Sequence, residues 1–179
     1  MIIILLADGF EEIEALTPLD VLRRAGLDVR TVGINGKIAA GSHKIPVICD
    51  LLPEEVELDK VSMVIFPGGM PGSLALDGSP FSDKAIAAVT KNGGRIAAIC
   101  AAPLVLGRRG LLKGLEATCY PGFEKELIGA SLSEKSVVTS RNITTAKGMG
   151  VALEFSLELV RLILSDKEAN EISASIQKE

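Results

Sequence analysis

The sequence predicts an α/β protein in which a doubly wound, mostly parallel sheet is covered by helices on both faces. Short apolar segments alternate with segments of helical periodicity along the whole chain. Apolar residues make up 47% of the chain and aromatic residues only 3%, a composition that suits strands buried on both faces. At 179 residues, we expect a single domain that spans residues 1–179.

The first half of the chain is predicted to contain three buried strands and two helices. The strands cover residues 1–7, 27–34 and 61–66, and the helices cover residues 11–25 and 80–91. Asn35-Gly36 is typical of a hairpin turn, so we expect residues 37–40 to fold back on the preceding strand. Residues 46–49 are then expected to pair near the edge of the sheet.

The second half continues the alternation of strands and helices. Its predicted elements are a strand at residues 95–99, a helix from Pro103, a short strand at 115–119 and a short helix at 123–128. Residues 137–138 and 143–144 are predicted to flank a turn. A long amphipathic helix is expected to open at residues 147–150 and to end near residue 164, and a polar surface helix follows from Asp166.

Composition and charge argue against several functional classes. The net charge is −4 and no basic stripe is present, which argues against nucleic-acid binding. No apolar run approaches the ~18 residues that span a bilayer, and residues 1–6 are too short for a signal peptide, so we expect a cytoplasmic protein. Three cysteines without C-x-x-C spacing disfavour disulfides and a zinc knuckle, and we expect neither a metal nor another cofactor.

Cys100 is the strongest candidate for a reactive group. It directly follows the apolar strand at residues 95–99 and precedes Pro103, which predicts a strand, a sharp turn and a helix. The carboxyl ends of strands form the ligand-binding edge of open α/β sheets, and amides at the next helix favour a thiolate. The alternative is a cysteine that merely packs, which is the interpretation we prefer for Cys49 and Cys119.

Glu14 is the candidate partner of Cys100. On a helical wheel it shares a face with Pro18 and Val21, where a carboxylate is costly unless it is hydrogen-bonded or protonated. Burial should therefore raise its pKa. The alternative is a side chain that reaches solvent over the helix end. On the same wheel, Glu12 lies on a solvated or interface face.

Gly68-Gly69 follows the strand at residues 61–66 and predicts an oxyanion site. The amide of Gly69 and that of Ala101, directly after the cysteine, would stabilise a developing negative charge. The alternative is a plain turn that requires positive φ. His43, the only histidine, lies in a polar stretch and is expected in a surface loop, which disfavours a Cys-His dyad.

Together these segments resemble the ThiJ/PfpI superfamily, in particular the branch of the parkinsonism-associated protein deglycase. The similarity runs nearly end to end and is carried by residues 7–14, 18–26, 66–69, 97–103 and 145–155. The resemblance implies a flavodoxin-like sandwich, a homodimer formed through the helix at residues 11–25, an oxidation-prone Cys100 and a protonated Glu14 beside it.

The resemblance also implies an activity. Members of the superfamily are linked to glutathione-independent conversion of methylglyoxal to lactate, to repair of glycated groups, and to redox sensing and chaperoning. The expected partner is thus a small carbonyl compound or an oxidant. Tyr120 stands where many members have a histidine, so that residue's base role is not transferred, and Tyr120 and Gly68 are pocket candidates. Ala101 stands where the peptidase branch has a histidine, which disfavours a peptidase or amidase.

Overall fold

The computed structural model describes residues 1–178 and contains a six-stranded sheet with helices on both faces. The strands are β1 (Ile2–Leu6), β2 (Val29–Gly33), β3 (Ile38–Ala40), β4 (Pro46–Ile48), β5 (Met63–Phe66), β6 (Arg95–Ile99), β7 (Glu116–Ala117), β8 (Ser131–Leu132), β9 (Val137–Ser140) and β10 (Ile143–Ala146). The helices are α1 (Glu12–Arg24), α2 (Gly72–Asp77), α3 (Pro80–Lys91), α4 (Pro103–Arg108), α5 (Ala152–Ile163) and α6 (Asp166–Ser175).

The central sheet has the strand order β2-β1-β5-β6-β10-β9. The first five strands are parallel, and β9 pairs antiparallel with β10 at the edge. Counted along the chain, the parallel strands follow the flavodoxin-like order 2-1-3-4-5. The predicted doubly wound, mostly parallel sheet is therefore confirmed. The winding reverses between β1 and β5, where the loops that leave the two strands diverge and open a crevice.

Each face of the sheet has its own apolar core, because successive side chains of a strand point to opposite faces. In β1, Ile4 lies in the layer shared with Leu22 of α1 and Phe155 of α5. Its neighbour Ile3 lies in the other layer, together with Val89 of α3. All five residues of β1 are buried, so this strand is a rigid support for the loop and helix that follow it.

The prediction that residues 37–40 fold back on β2 is wrong. Instead β3 pairs antiparallel with β4, and the two strands form a separate small sheet. The place beside β2 is taken by Leu51, whose carbonyl accepts a hydrogen bond of 3.0 Å from the Gly33 amide. The Asn35-Gly36 turn therefore leads the chain away from the central sheet.

Several shorter elements also differ from the sequence-based expectation. The predicted strand at residues 115–119 is reduced to β7, and the predicted helix at 123–128 is a single 3-10 turn at Glu124–Glu126. Helix α2 was not predicted, and α5 begins only after a 3-10 turn at Met149–Val151. Within residues 1–178, no helix has the length and apolar character required to cross a membrane.

Candidate active site

Cys100 lies on the sharp turn between β6 and α4. Its φ is 65°, in the left-handed region that non-glycine residues rarely adopt. Two backbone hydrogen bonds fix the turn: the Cys100 amide donates to the Ala146 carbonyl at 2.9 Å, and the Tyr120 amide donates to the Cys100 carbonyl at 2.8 Å. Backbone strain persists only where the surrounding structure imposes it, and it is typical of functional sites. The predicted strand-turn-helix arrangement is confirmed.

Glu14 and Cys100 meet in the crevice between β1 and β5. Glu14 is only 1% exposed, and its carboxyl group interacts with the Cys100 thiol. The Gly68 amide donates to Glu14 Oε2 at 2.9 Å, while the Gly68 carbonyl accepts from the Glu11 amide at 2.9 Å. The start of α1 is thereby attached to the loop after β5, which turns Glu14 inward. The interpretation of Glu14 as a solvent-exposed carboxylate is wrong.

Gly68 permits this close approach because it has no side chain. A Cβ at position 68 would lie 2.5 Å from Glu14 Oε2 and 2.6 Å from the Cβ of Cys100. The next residue, Gly69, has a φ of 89°, as its turn requires. The backbone amides of Gly69 and Ala101 both face the Cys100 sulfur. The four residues that carry the predicted chemistry therefore surround one point in the structure.

The electrostatics of the pair differ in part from the expectation. Burial raises the pKa of Glu14 to about 7, and the nearby Glu11 adds to the shift, so the predicted rise is confirmed. As expected, the amides of Ala101 and Gly69 favour the Cys100 thiolate, but other groups outweigh them. Burial and then the Glu14 carboxylate raise the pKa of the Cys100 thiol to about 12, although the amides of Ala101 and Gly69 act against this rise.

These shifts make Glu14 a suitable proton acceptor for the thiol. A carboxyl group with a pKa of about 7 is half ionised near neutral pH, where general bases work best. The thiol keeps its proton until an electrophile approaches, and the ionised carboxylate lies against it to accept that proton. Protonated Glu14 in turn donates to the sulfur or to an oxygen bound beside it. The pair therefore titrates as one unit.

Tyr120 and Gly148 lie at the mouth of the site. The Tyr120 side chain is half exposed, and a Cβ at position 148 would lie 3.3 Å from Tyr120 Cδ2 and 3.8 Å from Glu14 Oε1. The backbone amide of Met149 faces the Glu14 carboxyl group. Both pocket candidates, Gly68 and Tyr120, thus adjoin the Cys100–Glu14 pair. The contribution of Gly148 and Met149 was missed, and only the Gly148-Met149-Gly150 pattern signalled an unusual backbone there.

Glu11, Glu12 and His43 form a second cluster that sequence spacing did not reveal. Their ligand atoms lie within 4.8 Å of one another. His43 Nδ1 is 3.0 Å from Glu12 Oε2, and the His43 amide donates to Glu12 Oε1 at 2.8 Å. Glu12 is only 4% exposed, because the loop that carries His43 covers it, so of the two predicted positions the solvated one is wrong and the interface one stays a prediction. His43 lies in the predicted surface loop and pairs with Glu12.

The other two thiols lie in the interior. Cys49 and Cys119 are buried, as predicted, and all three cysteines in the described residues are free thiols. Burial raises the pKa of Cys119 to about 11, and Glu124 contributes to the shift. A buried, protonated thiol is chemically inert. Cys100 is also protonated, but it is partly exposed and has the Glu14 carboxylate beside it as a proton acceptor, which makes it the thiol best placed to react.

Comparison with known proteins is consistent with this fold and site. A family model described as DJ-1/PfpI family matches residues 1–162. "Protein dj-1beta" of Drosophila melanogaster is 34% identical over 177 residues, which are 97% of this chain and 95% of the relative. "Glutathione-independent glyoxalase DJR-1.2" of Caenorhabditis elegans is 32% identical over 176 residues, which are 96% and 92% of the two chains.

Solved structures agree with the sequence relatives. A structure described as "Toxoplasma gondii DJ-1, oxidized" has a TM-score of 0.93 and 33% identity to this chain. The match covers 98% of this chain and 97% of that one. The similarity in sequence and in fold extends over nearly the whole chain and assigns it to one family. The chain belongs to the DJ-1/PfpI family.

Proposed function

We propose that this protein is a cysteine-dependent enzyme that converts small reactive carbonyls, such as methylglyoxal, without glutathione. One observation carries the proposal: a strained Cys100 interacts with a buried Glu14 whose pKa is about 7. The name of the Caenorhabditis elegans relative describes the same chemistry in a protein of the same family. Free thiols persist in the cytoplasm, and we place the activity there.

The first step is addition of the thiol to the aldehyde. The Cys100 sulfur attacks the aldehyde carbon while the Glu14 carboxylate accepts the thiol proton. The carbonyl electron pair moves to the oxygen, to which the amides of Gly69 and Ala101 donate hydrogen bonds. Glu14 then returns the proton to this oxygen, and the product is a hemithioacetal.

The second step is an internal redox rearrangement. Glu14 removes the proton from the former aldehyde carbon, and the neighbouring ketone becomes an enediol as its oxygen is protonated. Protonation of the neighbouring carbon then gives a thioester of a 2-hydroxy acid, and water hydrolyses it to lactate and free thiol. One carbon is oxidised and its neighbour is reduced, so no external oxidant or reductant is consumed.

Turnover of methylglyoxal to lactate tests this function directly. Cys100→Ala should abolish lactate formation, because Cys100 supplies the thiol that interacts with Glu14. Glu14→Gln should lower kcat by about 100-fold or more, the usual effect of losing a general base. Cys49→Ala, which removes a buried thiol that lies after β4 and next to Gly33 of β2, is the control and should retain activity. Undiminished turnover by Cys100→Ala would contradict the proposal.

A second candidate function is oxidation sensing or chaperoning without turnover. It is favoured by Tyr120, which supplies no basic nitrogen beside the sulfur, and by protonated Glu14, which can donate a hydrogen bond to an oxidised sulfur. Mild peroxide treatment followed by intact-mass measurement should show a two-oxygen adduct that is absent in Cys100→Ser. Oxidation at Cys49 or Cys119 instead would reject this role.

We also propose that the protein forms a homodimer through α1. The outer face of this helix borders an apolar groove of about 620 Å³, which also contains Leu153 and Ile176. Ile13 on α1 and Ile45 beside it are 46% and 52% exposed, so the groove presents large apolar side chains to solvent. A second copy of the same face would cover them.

A further inference from the structure

A shallow cavity of about 210 Å³ is lined by Tyr120, Pro121 and residues 147–151, and two residues of its wall, Gly148 and Met149, adjoin Glu14. We call the residues that line this cavity the apolar shelf. The side chains of Tyr120 and Met149 are 50% and 53% exposed on it. Large apolar groups that are exposed together beside a reactive residue indicate a binding surface.

The apolar shelf is attached to the reacting groups themselves. The Tyr120 amide donates to the Cys100 carbonyl at 2.8 Å, and the Met149 amide faces the Glu14 carboxyl group. On its other sides the thiol faces Glu14 and the Gly68-Gly69 loop, where even a Cβ on Gly68 would lie only 2.6 Å from the Cβ of Cys100. The shelf therefore lies within reach of the substituent of a molecule bound to the sulfur.

The charges around the apolar shelf disfavour anionic substituents. Its one charged side chain is Lys147, whose amino group donates to the Glu134 carbonyl at 2.7 Å. It is therefore already engaged away from the reacting groups. The Glu14 carboxylate at the rear of the shelf repels anions when it is ionised. The shelf thus suits an uncharged, apolar group.

Gly148 leaves a slot between the Tyr120 ring and Glu14. A Cβ there would lie 3.3 and 3.8 Å from Tyr120 Cδ2 and Cε2, and 3.8 Å from Glu14 Oε1. A slot beside an aromatic ring favours a planar group, because such a group packs against the ring with little loss of rotamer freedom. The φ of Gly148 is 163°, an extended conformation open to any residue, so a methyl group here would act through its contact with the Tyr120 ring and not through backbone strain.

We propose that the apolar shelf is the substituent-binding subsite of Cys100 and selects electrophiles that carry a planar, uncharged apolar group. This selectivity predicts that an aryl α-oxoaldehyde such as phenylglyoxal is a better substrate than methylglyoxal. The subsite concerns which ligands the thiol selects, whereas the preference for phenylglyoxal as a substrate rests on the proposed function. The two are tested separately.

Alkylation of Cys100 tests the subsite without turnover. The rate constants for iodoacetamide and its N-phenyl analogue are measured, and each is divided by that of the same reagent with N-acetylcysteine. Each reaction forms one S–C bond and releases iodide, and Cys100→Ser gives the background. Wild type should prefer the phenyl reagent by about fivefold, the effect of burying roughly 40 Å² of apolar surface. Gly148→Ala, which fills the slot with a methyl group, should lose this preference.

Three further variants make the comparison specific. Tyr120→Phe retains the ring and should keep the preference, whereas Tyr120→Ala should lose it. Gly78→Ala is the matched control, because Gly78 has a φ of −80° and a Cβ there would make ordinary contacts, the nearest at 3.6 Å. It should behave as wild type. A wild-type preference near one, or the same preference in Gly148→Ala as in wild type, overturns the proposal.

Turnover separates this proposal from the proposed function. Wild type should show a higher kcat/KM for phenylglyoxal than for methylglyoxal, and Gly148→Ala should reverse the order. A phenyl preference in alkylation without turnover of either aldehyde supports the subsite and contradicts the proposed function. Turnover of methylglyoxal without a phenyl preference in alkylation overturns the subsite and supports the proposed function.

Discussion

At the scale of residues, the site depends on a carboxyl group that is buried beside a thiol. Glu14 is turned into the crevice by the Gly68 amide, and its burial raises its pKa to about 7. The unfolded chain leaves this group in water with a pKa near 4.5. Ionisation of Glu14 at neutral pH therefore costs stability, and the fold retains this cost because the site needs a proton acceptor of that strength.

The cost predicts an unusual pH dependence for the wild-type protein. Because the folded pKa of Glu14 lies above the unfolded value, its favourable contribution is complete below pH 4.5 and is lost as pH rises through about 7. The loss amounts to about 3 kcal/mol. Glu14→Gln does not titrate, so its free energy of unfolding in urea should increase relative to wild type as pH rises. A difference that is constant with pH would show that Glu14 is not buried as an acid.

Gly68→Ala should disrupt the site by displacing Glu14 from the loop after β5. The added Cβ would clash with Glu14 Oε2 and with the Cβ of Cys100. It would also lie 3.0 Å from the carbonyl oxygen of Ile99, which belongs to the backbone and cannot move aside easily. Overpacking of this kind costs about 1–3 kcal/mol. Displacement of Glu14 should reduce methylglyoxal turnover by about 100-fold.

Thermal unfolding and lactate formation check this prediction together. Gly78→Ala is the control, since its Cβ has room. Full activity of Gly68→Ala would mean that the carboxyl group need not touch the thiol.

At the scale of elements, the orientation of α1 is set by two attachments at its first turn. One is the Gly68 carbonyl, which accepts from the Glu11 amide, and the other is the loop between β3 and β4, which covers Glu12. Because Glu14 lies in the same first turn of the helix, these attachments also position the acid. The small sheet of β3 and β4 therefore supports the site although it contributes no reacting group.

Glu12→Gln should loosen this attachment. Burial favours protonation of Glu12, but hydrogen bonds from His43 and Ser42 outweigh it and hold the pKa at about 2. The contribution of Glu12 to stability is therefore present above pH 4.5 and lost as pH falls through about 2. The variant should be less stable than wild type by about 1–3 kcal/mol at pH 7, and less so at pH 3.

Urea unfolding at the two pH values measures the effect of Glu12→Gln. Glu57→Gln serves as the control, because Glu57 forms an exposed pair with Lys60 that is worth little. Equal stability of Glu12→Gln and wild type at pH 7 would contradict the role of the loop.

At the scale of the whole molecule, the sheet order places the site and leaves one apolar face uncovered. The crevice lies where the winding reverses between β1 and β5, and Cys100 follows the next strand, β6. The uncovered face is the outer face of α1, which carries Ile13. The inner face of the same helix carries Glu14. Dimer formation would thus restrain the helix that holds the acid.

Ile13→Glu should shift the proposed dimer to monomer, because it introduces a charge into the lining of the apolar groove. Sedimentation equilibrium measures the change. Leu74→Glu is the matched control: Leu74 is 44% exposed, close to the 46% of Ile13, and lies on α2, on the opposite side of the sheet. A wild-type protein that is monomeric at micromolar concentration would reject the dimer.

The sequence by itself determined the class of fold, the main strands and helices, and the elbow at Cys100. These features depend on periodicity and on residues adjacent in the chain, such as the apolar run that ends at Cys100 and the glycines after β5. The position of Glu14 on the helical wheel also predicted its burial and its raised pKa, because both follow from its place on the apolar face of one helix.

Only the tertiary structure decided which distant groups meet. The family resemblance implied that Glu14 lies beside Cys100, but the contacts of Glu14 with Gly68, of His43 with Glu12, and of β3 with β4 join segments whose separation along the chain carries no signal. The raised pKa of Cys100 could not be predicted from the sequence either. It results from burial, a neighbouring carboxylate and opposing amides, which come from separate segments of the chain. Local pattern specifies elements, whereas the free energy of desolvation depends on everything packed around a group.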